Sequence, residues 1–283
     1  MTIEKTNEFL DPTDAEAVVD KVRERYGAFA TAGTSCCGSA ATSCCSPTDT
    51  VAATLGYASA DLGLLPDGAN LGLGCGAPLE HLGLATGETM LDLGSGAGID
   101  ALIASRQVGS EGLVIGIDMT PEMLDVARAN AQAAGAENVD FREGRLEDLP
   151  VDDASIDAVT SNCVINLVPD KSAVFREISR VLKPGGRLVI SDIVLDGPLP
   201  VEVRENVLAY VGCVSGAERR ETYFKRLADV GLGEVEVVKD ADFLEMTEKA
   251  SPAEVESILA ATGITREEVR GLVRSVTYRA RKR

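Results

Sequence analysis

Seven cysteines stand in a chain that has one histidine and no tryptophan. Four crowd into "SCCGSAATSCC" as Cys36, Cys37, Cys44 and Cys45. Cys75 stands in "GLGCGAP", Cys163 in "SNCVINL" and Cys213 in "YVGCVSGA". Small residues flank each of these last three thiols, so little crowds them. Thiolates select soft metals and metalloids. No CxxC pair and no clustered histidine accompanies them, which argues against a structural zinc site. The plainer reading of an isolated cysteine is a small buried hydrophobe.

A second constellation is "LDLGSGAGID" at 91–100. Glycines let the backbone turn tightly and approach a ligand, and the helix that follows offers free N–H groups. Asp92 precedes Gly94, Ser95 and Gly96, where it would hold an ammonium group or brace the turn better than it would hold a pyrophosphate. About 20 residues further on, "GIDMT" supplies Asp118 and Met119, and an acid at that place can accept the hydroxyls of a ribose. "EGRLEDLP" puts Leu146 and Glu147 at the height of an adenine, and Asn162 ends the strand that leads to Cys163. This set favours S-adenosylmethionine, which has no phosphates, over a nicotinamide cofactor.

An acceptor hydroxyl or amide usually needs a general base, most often His. The single histidine, His81, reads more simply as a surface or packed residue. A tricoordinate arsenic(III) suits three thiolates, and its lone pair can attack a sulfonium methyl group without a base. The shortage of histidine then makes chemical sense.

The elements that must position these residues alternate from 88 onward. "TMLDLG", "GLVIGID", "NVDFREG", "IDAVTSN" and "GGRLVISDIVL" read as strands. "GIDALIASRQV", "TPEMLDVARANAQAAG" and "DKSAVFREISRVL" read as helices, the second with Thr120 as N-cap and Pro121 at its first position. Such alternation predicts a parallel sheet covered on both faces, with ligands at the carboxyl ends of its strands. Residues 14–31 predict a helix. Residues 32–80 read as a long loop with one short helix. Beyond 198, residues 200–230 read as mostly helical and "EVEVVKD" as a strand. "ASPAEVESILAATG" and "TREEVRGLV" read as helices, and "RSVTYRARK" as a last strand. Three parts follow: 1–80, an amino-terminal helix with a mobile Cys-rich segment; 81–197, a cofactor-binding domain; and 198–283, a carboxyl-terminal part that completes the sheet.

The 283 residues are 45% hydrophobic, enough for one large domain with an appendage. Lys and Arg number 27 against 45 Asp and Glu, a net charge of −18. That surface repels nucleic acid and anionic lipid. No apolar run is long enough to span a membrane and the acidic start lacks a signal-peptide core, so the expected location is cytoplasmic.

"LDLGSGAGID", "GIDMT", "EGRLEDLP" and "LKPGG" together resemble the class I methyltransferases. The thiol motifs sharpen that likeness. With "SCCGS", "RVLKPGGRLVISD" and the pair Tyr26–Gly27, they resemble the arsenite S-adenosylmethionine methyltransferases over about residues 18–230. The resemblance implies an α/β Rossmann-like sheet, mostly parallel with an antiparallel last strand, plus a smaller carboxyl-terminal substrate-binding part. It implies that Cys163 and Cys213 hold trivalent arsenic, with Cys75 as third ligand or redox partner and Cys36 and Cys37 as candidate redox thiols. Cys44 and Cys45 depart from the family pattern. It further implies arsenite arriving as a glutathione or other thiol complex. A thioredoxin or glutathione system would return the two electrons that methylation takes from arsenic, and no structural metal is expected. Two rivals remain open at this level: methylation of a small organic acceptor such as a quinone precursor, and a non-catalytic metalloid sensor.

Overall fold

The structure, a computed structural model, describes residues 14–32, 48–199, 214, 216–250, 255–256, 259–260 and 263–283. The amino-terminal cysteines and Cys213 lie outside these residues.

Eight strands form one sheet among the described residues: β1 (Thr89–Leu93), β2 (Leu113–Asp118), β3 (Val139–Glu143), β4 (Ile156–Asn162), β5 (Leu182–Leu195), β6 (Glu218–Arg219), β7 (Leu232–Asp242) and β8 (Val273–Lys282). Their order is β3-β2-β1-β4-β5-β8-β7, with β6 beside β5. β1 to β5 pair in parallel, whereas β8 runs antiparallel to both β5 and β7. The last strand is therefore the antiparallel one, as the family resemblance implied.

The central parallel strands are buried on both faces, which is why "TMLDL" and "LVIGID" are apolar runs and do not alternate, whereas β3 at the edge is half-exposed. Their covers are the helices between them. α4 (Ile99–Val108) is almost wholly buried. α5 (Pro121–Ala134) begins on Pro121 and closes on a left-handed Gly135. Thr120 holds the N-cap position, yet its side chain makes no cap bond. α6 (Lys171–Val181) is capped by Asp170, which accepts from the Ala173 N–H at 3.0 Å. Phe175 of α6 packs edge-on against Tyr223, which also meets Tyr278 of β8. Truncating Phe175 to Ala would cost about 3–5 kcal/mol.

Residues 48–81 carry more regular structure than a loop. α2 (Thr48–Leu55), α3 (Ser59–Leu62) and a 3-10 turn at Pro78–His81 follow one another. Leu55, Tyr57, Leu62, Leu79 and Leu82 share an apolar cluster with Met90 of β1, Leu102 of α4 and Val189 of β5. Two small residues of this stretch, Gly74 and Gly76, lie close against Asn162 of β4 and Ser191 of β5. α1 (Ala15–Ala32) places Val18 and Val22 in a cluster with Cys75, Leu167 and Ile193, at the carboxyl end of the strands.

Past β6, α7 (Arg220–Asp229) and α8 (Phe243–Ala250) flank β7. The helix expected in "TREEVRGLV" is a single turn, α9 (Arg266–Val269), opened by a Thr265–Glu268 capping box and followed by Gly271 at φ +72°. Most of "ASPAEVESILAATG", and residues 200–213 of the expected helical stretch, fall outside the described residues. No described helix is long and apolar enough to cross a membrane.

Candidate functional site

The site is built where β2, β1 and β4 end side by side. After β1 the chain doubles back through Gly94, Gly96 and Gly98, all at positive φ. The N–H groups of Gly94 and Ser95 both donate to the Ile117 carbonyl of β2, at 2.8 and 2.9 Å. The Gly96 N–H donates to Asp118 Oδ2 at 2.9 Å, and Asp118 Oδ1 accepts from Thr120 N–H at 2.9 Å. Asp118 thus ties the glycine turn to the strand beside it. A Cβ on Gly96 would meet nothing within 4 Å, so this part of the turn faces open space. A Cβ on Gly94 would strike Val164, the residue after Cys163, at 2.8 Å from its Cβ. The thiol-bearing turn therefore lies directly on the glycine turn.

Three carboxylates share this end of the sheet. Asp92 is 2% exposed and Asp100 is 4% exposed. Burial raises Asp92 well above the usual carboxylate range, and the neighbouring carboxylates of Asp100 and Asp118 add to it. Burial pushes Asp100 up to about 6, held down in part by the hydrogen bond from Tyr57. Burial also raises Asp118. Asp92 Oδ2 and Ser95 Oγ are buried without a hydrogen-bond partner. Unpaired buried oxygens beside an open glycine turn suit a cationic, hydroxyl-rich ligand such as S-adenosylmethionine.

Cys163 follows the end of β4 with φ +61°, in the left-handed region. A non-glycine residue pays roughly 1–2 kcal/mol there. Its N–H donates to the Ser191 carbonyl of β5 at 2.8 Å. The turn beyond it, Ile165–Leu167, is anchored by Asn166, whose Nδ2 donates to Asp192 Oδ1 at 2.8 Å and to the Ile193 carbonyl at 2.7 Å. Tyr223 donates to Asp192 Oδ2 at 2.9 Å, and burial raises the Asp192 carboxyl to about 6.

Cys75 is 1% exposed and belongs to the apolar cluster on which Cys163 also packs, with Met119 and Tyr26 at its border. Its loop is gripped from two strands. Asn162 Oδ1 accepts from the N–H groups of Cys75 at 3.0 Å and Gly76 at 3.3 Å. Asn162 Nδ2 donates to the Gly76 carbonyl at 2.8 Å and to Tyr57 Oη at 2.9 Å. Tyr57 in turn donates to Asp100 at 2.9 Å. From β8, Ser275 donates to the Cys75 carbonyl at 2.7 Å. A Cβ on Gly76 would collide with Ser191, 2.8 Å from its Cβ, so only glycine fits.

The structure gathers Asp92, Gly94, Ser95, Gly96, Asp118 and Met119 at the ends of β1 and β2. It sets Asn162, Cys163 and Cys75 beside them. Leu146 is buried in the main core beneath the end of β3. Glu147 pairs with Arg145 at 3.0 Å, and Arg145 reaches Glu16 of α1 at 3.1 Å. His81 lines a cleft of about 420 Å³ between β5, β7 and β8, with Arg187 from the amino-terminal half of β5. Val214, next to Cys213, packs on the Cys75 cluster. Among the described residues no group of three His, Cys, Asp or Glu is placed to hold a metal ion, and Cys213 is not one of those residues. Sequence reading passed over Tyr57, Asp100, Ser191, Asp192 and Ser275. The one local signal was Asp100, an acid in the first turn of a mostly buried helix.

A methyltransferase-domain family model matches residues 84–261. An arsenite methyltransferase of Halobacterium salinarum is 45% identical over 232 residues, covering 79% of this chain and 59% of that one. One from Aquipseudomonas alcaligenes is 46% identical over 151 residues, 51% of this chain and 43% of its own. The chain thus spans less than two thirds of these relatives' length. The crystal structure of an arsenic(III) S-adenosylmethionine methyltransferase from Chlamydomonas reinhardtii superposes with a TM-score of 0.61 at 32% identity, covering 82% of this chain and 73% of that one. The chain belongs to the arsenite methyltransferase family of the class I methyltransferases.

Proposed function

We propose that this chain transfers methyl groups from S-adenosylmethionine to trivalent arsenic held by its own thiolates. The observation that carries the reading is the contact of Val164 with Gly94, which lays the Cys163 turn on the glycine turn. When bound, the cofactor supplies an electrophilic sulfonium methyl group. Asp118 would hold the ribose hydroxyls, and Asp92 and the Gly94–Gly96 backbone the amino-acid end. Met119, Leu146 and Glu147 belong to the adenosine side by their places after β2 and β3.

Cys163 and Cys213, with Cys75, would exchange with the small thiols that deliver arsenite. Val18, Val22, Leu167 and Ile193 pack on the buried Cys75 and the half-buried Cys163, an apolar setting for the exchange. The nucleophile is the arsenic lone pair, so the protein's task is to align it with the methyl carbon, and positioning supplies most of the acceleration. No side-chain base is required. Arsenic loses two electrons formally in each transfer. A dithiol becoming a disulfide, from Cys36 or Cys37 with Cys75 or from glutathione or thioredoxin, would return them. The low net charge of the substrate and the acidity of the chain agree with a small-molecule acceptor and no nucleic-acid partner, and a cytoplasmic setting would keep the thiols reduced.

Incubating the pure protein with arsenite, S-adenosylmethionine and glutathione, and separating the arsenicals by mass, tests the reading. Methylated arsenic is the expected product. Arsenite bound without methylation would make the protein a metalloid sensor, and no binding of arsenite would overturn the proposal.

A further inference from the structure

The side chain of Asn162 has a duty that its place at a strand end does not disclose. A neutral amide has two donor hydrogens and two acceptor lone pairs. Here all are engaged: Oδ1 by the Cys75 and Gly76 N–H groups, Nδ2 by the Gly76 carbonyl and Tyr57 Oη. The orientation is fixed by chemistry. Two backbone donors require the oxygen, and the Gly76 carbonyl requires the nitrogen. Tyr57 spends its own hydrogen on Asp100, so it can only accept from Asn162. The glycines on either side of Cys75 make room for this grip, since a Cβ on Gly74 would meet the Asn162 amide at 2.9 Å.

The next residue is Cys163, turned into the left-handed region and hung on the Ser191 carbonyl. Asn162 itself pairs with Ser191 in the sheet. Two consecutive residues therefore set two thiols: the side chain of Asn162 seats the Cys75 loop, and the backbone of Cys163 presents its own thiol. Ser275 closes the grip from the far side by holding the Cys75 carbonyl.

We infer that Asn162 is a positioning residue for the metalloid site: it sets the spacing between Cys75 and Cys163 so that one arsenic(III) can bond both, and its amide has no capacity left to bind cofactor. This inference rests on the proposed arsenic chemistry. It also joins the two halves of the site, because the Asp100–Tyr57–Asn162 chain runs from the carboxylates near the glycine turn to the backbone of the Cys75 loop.

The test is a double-mutant cycle on arsenite affinity, read by equilibrium dialysis with arsenic quantified by mass spectrometry, with S-adenosylmethionine affinity read by calorimetry on the same samples. Asn162→Ala, Cys75→Ser and the double variant are compared with the parent chain. Asn162→Ala should weaken arsenite binding about tenfold and leave cofactor affinity within about twofold. Cys75→Ser should weaken arsenite binding similarly, and the double variant should be no weaker than either single one, because both remove the same ligand. Should Asn162→Ala fold poorly, Asn162→Asp keeps the shape and the acceptors but lacks the donors for Gly76 and Tyr57, and the same non-additive pattern is expected. Additive losses, unchanged arsenite affinity, or a loss confined to the cofactor would each overturn the inference. A parent chain that binds no arsenite would instead overturn the function on which it rests.

Discussion

At Cys163 the backbone conformation and the chemistry pull in opposite directions. Glycine would fit φ +61° without strain, yet the position carries a thiol. Cys163→Gly should therefore be more stable than Cys163→Ala by about 1 kcal/mol, measured by chemical denaturation, while both lose arsenite methylation. Equal stabilities would remove the strain argument. Cys163→Ser and Cys213→Ser are each expected to abolish methylation with cofactor affinity intact. If activity merely followed a lowered melting temperature, the thiols would be packing residues. Asp118→Ala should weaken S-adenosylmethionine binding by roughly 1–3 kcal/mol. Part of that loss would come from freeing the Gly96 and Thr120 N–H groups. Asp118→Asn keeps an acceptor for one of them and should fall between; unchanged calorimetric affinity in Asp118→Ala would refute the ribose assignment.

Between elements, two glycines do different work. Gly76 is where the Cys75 loop touches β5, and a methyl group there meets Ser191, itself bonded to Thr277 of β8 at 2.8 Å. Gly76→Ala should cost about 1–3 kcal/mol of stability through overpacking and weaken arsenite capture. Gly96 is at φ +51° with open space before it. Gly96→Ala should cost less stability, about 1 kcal/mol, but lower cofactor affinity, because the added carbon enters the space that the ligand needs. Thermal melts beside calorimetry separate the two; if Gly96→Ala bound S-adenosylmethionine normally, the open face would not be the cofactor's. Much of this level was legible. The strand–helix alternation and the Pro121 start are local signals, and the structure repeats them; the Thr120 cap bond is not formed. Residues 48–81 were not, because Tyr57 and Leu62 owe their places to partners in α4 and β4, about 40 to 105 positions away, and small residues carry no periodic pattern.

Across the whole molecule the buried acids set the pH dependence. Asp100 and Asp192 are pushed to about 6 from an ordinary 3.8, mainly by burial. A carboxyl raised on folding contributes stability that is complete below its unfolded value and is lost as pH rises through the folded one. Each group therefore gives up on the order of 3 kcal/mol between about pH 4 and pH 6. Glu88 and Glu177, lowered by Arg187 and Arg180, act in the opposite sense and lose their contribution as pH falls below 4.5. Stability should thus peak near pH 4–5 and decline toward neutrality, and Asp192→Asn should flatten the decline. A melting temperature that rises from pH 5 to pH 7 would contradict this. The alternating elements, the glycine turn, the acid twenty residues beyond it and a thiol at the end of β4 could be read from residue order, because periodicity, turn chemistry and strand ends are written within a few residues. The tertiary structure alone decided that Asn162 holds Cys75, that Val164 lies on Gly94, and that β8 enters between β5 and β7. The first two contacts join residues 70 or more positions apart, and β8 meets β7 at separations of 32 to 50 and β5 at 78 to 94. A buried amide or hydroxyl takes whichever partner the fold brings within about 3 Å, and no local pattern records which one that will be.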